Sequence, residues 1–287
     1  MSKVLVTGGA GYIGAMLVPE LLSLGHKVTV VDNFMYGQSS LNSSFSSESL
    51  EVHNLDVRSD EMKSVYEKHD IIFPLAALVG APLCKKDPVG SKTINTDSVY
   101  KMLDVLSTEQ RIIMPTTNSA YGTGDKNNYC TEESPLNPIS SYAIEKVEIE
   151  KSLMERENVI SYRLATVFGM SPRMRMDLLV NDFVHRAFRD KFIVLFESHF
   201  KRNYIHVRDI AETFRFCIEN YNELNGEVFN VGLSNANLNK RELANKIKES
   251  FPKLVIIENE FSSDKDNRNY IVSNDKLESY GWRPKYS

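Results

Sequence analysis

The sequence predicts an α/β chain with a doubly wound parallel sheet followed by a smaller C-terminal lobe. Three observations predict it. Short, continuous apolar runs recur up to Phe168, as in strands buried on both faces. Helix-patterned stretches alternate with them, the rhythm of a parallel sheet covered on both sides. After Phe168 the texture changes, and shorter apolar runs sit among three further helical patterns.

Val4-Leu5-Val6 reads as the first strand, ending in Thr7-Gly8-Gly9. Tyr12 to Leu24 carries helix spacing, with Gly25 as its stop. Val28 to Val31 reads as a second strand ending at Asp32, Leu50 to Leu55 as a third and Ile71 to Phe73 as a fourth. A helix over Ser91 to Leu106 precedes a fifth strand, Ile112 to Met114. Tyr142 to Glu155 reads as a charged amphipathic helix, and Val159 to Leu164 as a sixth strand. In the second half, helices are expected near Leu178–Arg189, Val207–Asn220 and Lys240–Phe251. Strands are expected near Ile193–Leu195, Glu227–Val231 and Leu254–Ile257. The division is therefore residues 1–168 for the sheet domain and 169–287 for the smaller lobe, with segments crossing back between them. The Ser-rich stretch Ser39–Ser49 is a surface loop.

A chain of 287 residues, 42% apolar and 25% charged, is long enough to bury a full core. A net charge of −4 gives no reason to expect nucleic acid or an anionic membrane as partner. Cys84, Cys130 and Cys217 lack metal-ligand or redox spacing and read as free thiols in a reducing compartment. No metal is expected. No apolar stretch approaches the length of a membrane span, and Met1-Ser2-Lys3 leads straight into a strand pattern, so a cytoplasmic location is expected.

Gly8-Gly9-Ala10-Gly11-Tyr12-Ile13-Gly14 joins the first strand to the first helix, the arrangement of a Rossmann dinucleotide-binding turn. Gly8 permits the turn, Gly11 a close backbone approach to a pyrophosphate, and Gly14 close packing of the helix. The N–H groups at the start of that helix, around Tyr12 and Ile13, face the phosphates. Asp32 follows Gly14 by 18 residues and suits both ribose hydroxyls while repelling a 2′-phosphate, which favours NAD over NADP. Asn33 adjoins it. Asp56 and Val57 follow the third strand where an adenine edge would lie, although Asp56 reads equally well as a helix cap. Leu75-Ala76-Ala77 would let the cofactor lie across the strand ends, and Asn95 is a further cofactor candidate.

Tyr142 and Lys146 stand four apart on one helix face. A free phenol titrates near pH 10, so a nearby ammonium and a positive nicotinamide ring are expected to favour its phenolate. Tyr142 is then the base that takes a hydroxyl proton from substrate, and Lys146 holds the nicotinamide ribose. Thr116 to Gly122 follows the fifth strand, where ligands of such sheets bind. Thr117 is the expected hydrogen-bond partner of the reacting oxygen, with Ser119 the alternative.

These motifs resemble the extended short-chain dehydrogenase/reductase family, in its nucleotide-sugar epimerase and dehydratase branch. The glycine motif, Thr117 at 25 residues before Tyr142, Tyr142-x-x-x-Lys146 and Asn203 to Asp209 match that branch in order. Leu75–Lys85, Arg163–Gly169 and Ser171–Asp182 look more like one subgroup, which includes GDP-D-glycero-α-D-manno-heptose 4-dehydrogenases of bacterial capsule pathways. The resemblance implies NAD-dependent oxidation at sugar C4 of a nucleotide-diphosphate sugar, GDP-linked, by a homodimer paired through the helices near Ser91–Leu106 and Tyr142–Glu155. Two departures stand out. Dehydratases of the family carry an Asp-Glu pair directly after the catalytic Thr, where this chain has Asn118 and Ser119, so dehydration is not expected. The chain also stops soon after Gly281-Trp282-Arg283-Pro284, where family members add a helix.

A diphosphate without a metal needs arginines. Arg173, Arg175, Arg202 and Arg268 are the candidates, with Thr166 and with Asn181, which matches a family position that contacts phosphate. Any one of these arginines also reads as a surface charge. His206 and Asp209 read as a structural pair. Three functions are then open: a 4-dehydrogenase, a 4-epimerase working through the same keto intermediate, and an NAD sensor without chemistry. Retention of both Tyr142 and Lys146 speaks against the sensor.

Overall fold

The computed structural model describes residues 1–123, 128–259 and 268–286. The chain opens with β1 (Lys3–Thr7), α1 (Gly14–Ser23), β2 (Lys27–Asp32), β3 (Leu50–Asn54), α2 (Met62–Tyr66) and β4 (Ile71–Pro74). Three helices follow, α3 (Ala81–Lys86), α4 (Pro88–Ser91) and α5 (Ser98–Val105), the last two joined by a π-helical stretch over Lys92–Asp97. Next come β5 (Arg111–Thr117), α6 (Ser141–Met154), β6 (Val159–Leu164) and β7 (Thr166–Phe168). The remainder holds α7 (Leu179–Arg189), β8 (Phe192–Phe196), β9 (Lys201–His206), α8 (Val207–Glu219) and α9 (Tyr221–Leu224). It ends with β10 (Val228–Val231), β11 (Asn237–Asn239), α10 (Lys240–Ser250), β12 (Val255–Asn259) and α11 (Asp275–Ser279).

Seven strands form one parallel sheet in the order β10-β6-β5-β4-β1-β2-β3. The order reverses between β1 and β4, which opens a crevice at the carboxyl ends of those strands. Alternate side chains of each strand feed opposite cores. Val4, Val6, Ile71, Phe73 and Ile113 pack on the side of α1 and α8, while Leu5, Ile72, Ile112 and Met114 pack on the side of α2, α5 and α6. Burial on both faces is why the strands read as unbroken apolar runs rather than alternating ones.

The expected strand at Glu227–Val231 forms, but it is not part of the small lobe. As β10 it pairs in parallel with Ser161–Leu164 of β6 and becomes the seventh strand. Phe229 and Val231 join the main core, as do Ile210 and Phe214 of α8 and Leu277 and Trp282 near the end of the chain. A four-residue apolar run carries no local signal of which sheet it completes. The small lobe keeps two short sheets, β11-β9-β7 and β12-β8, with α7 and α10 closing a separate core around Phe183, Leu195, Tyr204 and Leu243.

Among the described residues no helix is long and apolar enough to cross a membrane. Also among them, no three His, Cys, Asp or Glu side chains are grouped to hold a metal. All three cysteines are buried, and none forms a disulfide among the described residues.

Candidate active site

The glycine loop is built so tightly that only bare backbone fits. Gly8 sits at φ +68°, and a Cβ there would lie 2.6 Å from the Ala76 nitrogen. A Cβ on Gly14 would lie 2.6 Å from the Gly8 carbonyl oxygen. Helix α1 has no side-chain cap at Ile13. The Ala15 and Met16 amides already donate to the Gly11 and Ile13 carbonyls, so an anionic ligand would be met by the turn amides just before them. The Leu75–Ala77 segment runs against Gly8, with the Ala76 amide donating to Thr7 Oγ1 at 3.4 Å. These features fit a dinucleotide pyrophosphate laid over the β1–α1 turn. Gly8→Ala adds a left-handed strain and a backbone clash. It should lower stability by about 1–3 kcal/mol and weaken NAD binding, as read by chemical denaturation and calorimetry.

Asp32, at the end of β2, is 8% exposed. Its carboxylate accepts from the Ala10 amide at 3.1 Å, the Phe34 amide at 2.9 Å and Gln38 Nε2 at 3.3 Å. Burial raises its pKa against these hydrogen bonds. Asp56 caps the turn that follows it, accepting from the Arg58 amide at 2.9 Å, and is clamped by the Arg58 guanidinium at 2.7 Å. Those bonds from Arg58 hold its pKa down to about 2. Asn33 Nδ2 donates to Asp56 at 3.3 Å, which brings the ends of β2 and β3 together, and Val57 is buried.

Asn95 lies in the π-helical stretch and is 1% exposed. Its amide is fully engaged. Oδ1 accepts from the Leu78 amide at 2.8 Å, and Nδ2 donates to the Leu78 carbonyl at 3.0 Å and to Glu145 Oε2 at 3.2 Å. It ties the segment after β4 to α6. Buried Cys84 joins the same knot, its thiol donating to the Leu78 carbonyl at 3.2 Å.

Ser140 caps α6 through the Ala143 amide at 3.2 Å, and the helix brings Tyr142 and Lys146 beside the end of β5. Lys146 is 4% exposed, and Tyr142 is half-buried. Thr117 ends β5. Its Oγ1 accepts from the Ser119 amide at 3.1 Å, which leaves its own hydroxyl proton for another acceptor. Burial pushes the Tyr142 phenol up to about 12, and Arg268 and Arg175 pull it the other way. Burial brings Lys146 down to about 8. The sequence assigns the acidifying pull to Lys146 together with the nicotinamide ring. In the folded protein Arg268 and Arg175 add to it.

The arginine set divides. Arg268 Nη1 donates to Ser119 Oγ, and Arg202 Nη1 donates to the Arg268 carbonyl at 2.7 Å. Arg175 pairs with Asp177 at 2.5 Å, and its charge reaches Tyr142. Arg268 thus reaches the β5–α6 corner directly, Arg175 acts on it through its charge, and Arg202 is linked to it through the Arg268 carbonyl. Arg173 departs from them and lies 4.2 Å over the Tyr36 ring, beside Asp32. Asn181 holds the loop rather than pointing outward. Its Oδ1 accepts from the Gly169 amide at 3.0 Å, and its Nδ2 donates to the Arg175 carbonyl at 2.9 Å. Thr166, half-buried in β7, pairs with Tyr204 of β9 in the small lobe.

His206 and Asp209 do not bond each other as the sequence reading supposed. His206 Nδ1 accepts from the Arg208 amide at 3.1 Å and caps α8, while Asp209 accepts from the Lys285 amide at 2.7 Å and the Tyr286 amide at 3.1 Å. Two residues escaped the sequence reading, Tyr36 and Ser171. The signal for Tyr36 was an aromatic four residues beyond the strand-ending Asp32.

Residues 4–232 match the family described as the NAD dependent epimerase/dehydratase family. A UDP-N-acetyl-alpha-D-glucosaminuronate decarboxylase of Bacillus cytotoxicus is 26% identical over 245 residues, 80% of this chain and 74% of that protein. UDP-glucuronic acid decarboxylase 1 of Xenopus tropicalis is 28% identical over 208 residues, 68% of this chain. This chain thus spans about half of that relative, 48% of its length. Among solved structures, UDP-glucose 4-epimerase of Thermotoga maritima with UDP-glucose is 25% identical, with a TM-score of 0.86 over 99% of this chain and 94% of that one. With the glycine turn, Asp32 and the Thr117–Tyr142–Lys146 corner in place, the chain belongs to the NAD dependent epimerase/dehydratase family, with NAD as its cofactor.

Proposed function

We propose that this protein oxidises C4 of a nucleotide-diphosphate sugar to the 4-keto sugar. The observation that carries the reading is the convergence of Tyr142, Lys146, Thr117 and Arg268 on one corner at the carboxyl end of β5, within reach of the Arg175 charge. NAD+, when bound, supplies the acceptor for the hydrogen and electron pair that leave C4. The protein's own part is to move the hydroxyl proton. Thr117 donates to the C4 oxygen and fixes it. The Tyr142 phenolate then accepts the proton from that oxygen, so the C–O bond becomes C=O as the C4–H bond breaks. Lys146 holds the nicotinamide ribose. Arg175, Arg202 and Arg268 receive the diphosphate, which draws Arg268 from Ser119.

The sequence resemblance implies a GDP-linked manno-heptose of a surface-polysaccharide route and a homodimer. The relatives matched here carry UDP-sugar names. A second reading, 4-epimerisation, is favoured by the Thermotoga 4-epimerase likeness, because the same oxidation followed by return of hydrogen to the other face inverts C4. The test is incubation with GDP-, UDP-, CDP- and dTDP-sugars, with and without a small keto acid to reoxidise the cofactor, and product identification by mass and NMR. A 4-keto sugar or its hydrate is the expected product. An epimer without net redox change assigns epimerisation, and unchanged sugars across the panel overturn both readings.

A further inference from the structure

Arg173 belongs by sequence to the substrate lobe but by position to the cofactor. The loop after β7 leaves the sheet at Gly169, where φ is +106° and a Cβ would meet the His206 ring at 2.2 Å, so the chain turns sharply there. It then runs back over the glycine turn and is tied to it twice, with a third bond from Asn181 at the start of α7. Tyr12 Oη donates to the Gly169 carbonyl at 2.6 Å, Ser171 Oγ donates to the Tyr12 carbonyl at 2.8 Å, and Asn181 Nδ2 donates to Tyr12 Oη at 3.3 Å. Beyond those ties the loop places the Arg173 guanidinium 4.2 Å over the Tyr36 ring. Tyr36 stands in the loop after β2, four residues past Asp32, and is 53% exposed. Arg173 and Tyr36 therefore meet beside the carboxylate expected to take the adenosine ribose hydroxyls.

We propose that Arg173 and Tyr36 form a clasp across the adenosine ribose of the bound dinucleotide, so that a loop of the small lobe retains the cofactor. The clasp has a second consequence. A guanidinium beside the ribose is a ready ligand for a 2′-phosphate, and the Asp32 carboxylate is what repels one. The site thus holds both elements of the NAD/NADP choice, with Asp32 dominant because its carboxylate would meet the ribose hydroxyls directly.

The test measures NAD+ and NADP+ affinity by calorimetry and NAD+ release by stopped-flow fluorescence. Both side chains lie at the surface, and circular dichroism with a melting curve checks that each variant folds. Arg173→Ala and Tyr36→Ala should each raise the NAD+ dissociation constant about 3- to 30-fold, mainly through faster release, the range of a partly exposed cation–π contact. Asp32→Asn should gain measurable NADP+ binding, and Asp32→Asn with Arg173→Ala should lose it. NAD+ release at the wild-type rate from both single variants overturns the clasp. Equal NADP+ affinity with and without Arg173 overturns the guanidinium's place at the ribose.

Discussion

Tyr142→Phe should lower turnover about 10²- to 10⁴-fold while leaving NAD affinity and the melting temperature unchanged. The phenyl ring keeps the packing of Tyr142 and removes only the oxygen that accepts the substrate proton. The electrostatics of the corner set what the base needs. Burial pushes the phenol up to about 12, away from the phenolate that accepts the proton. Cationic groups must bring that value down for the base to work. Arg268 and Arg175 already act in that direction, and a positive nicotinamide ring adds to them. The sign is fixed: activity requires the deprotonated form, so kcat/KM rises with pH until the phenol is ionised. Arg175→Met should move that rising limb to higher pH without altering the Tyr142→Phe baseline. A pH profile of wild type and both variants checks this. Turnover in Tyr142→Phe within a factor of a few of wild type removes Tyr142 as the base.

The sequence showed the sheet well and the site unevenly, for identifiable reasons. Val4–Val6, Val28–Val31, Ile71–Phe73 and Ile112–Met114 are buried on both faces, so their apolar runs are unbroken. The glycine turn was legible because its steric demand admits no substitute at Gly8 or Gly14. The catalytic residues were legible because their spacing is local. β10 was assigned to the wrong layer because its partner, β6, lies more than 60 residues away. Arg173 and Arg175 looked like one group because they are two residues apart, yet the loop sends one to Tyr36 and keeps the other at the catalytic corner. Helix α6 misled in another way. It reads as a charged amphipathic helix, and nothing in its pattern marks Glu150 as a buried charge, yet Lys146 and Glu150 are 4% and 5% exposed.

Glu150→Gln should destabilise the fold by about 3–5 kcal/mol, which makes this buried carboxylate the most important charge for stability outside the catalytic set. Glu150 Oε1 accepts from Arg163 Nη2 at 2.6 Å, and Oε2 accepts from Thr116 Oγ1 at 2.8 Å and Ser161 Oγ at 2.9 Å. Arg163, 5% exposed, also donates to Tyr121 Oη at 2.9 Å, which in turn donates to Asn230 Oδ1 at 2.7 Å. The network joins α6, β5, β6 and β10 across the edge of the sheet. Burial works against the guanidinium's charge, but Glu150 outweighs it and holds the Arg163 pKa above its usual value. A neutral amide at position 150 leaves that guanidinium charged in a dry site without the carboxylate that pairs with it, and the new Nε2 donor would face the donors of Thr116 and Ser161. Glu150→Met combined with Arg163→Met removes both charges together, so the double variant should recover a large part of the loss. Chemical denaturation of the single and double variants measures both quantities, and the single change should also lower the melting temperature on the order of 10 °C. Thr116 precedes Thr117, so the same substitution should loosen the hydroxyl that positions the C4 oxygen and depress kcat more than KM. A Glu150→Gln protein as stable as wild type would mean that water, not Glu150, satisfies Arg163.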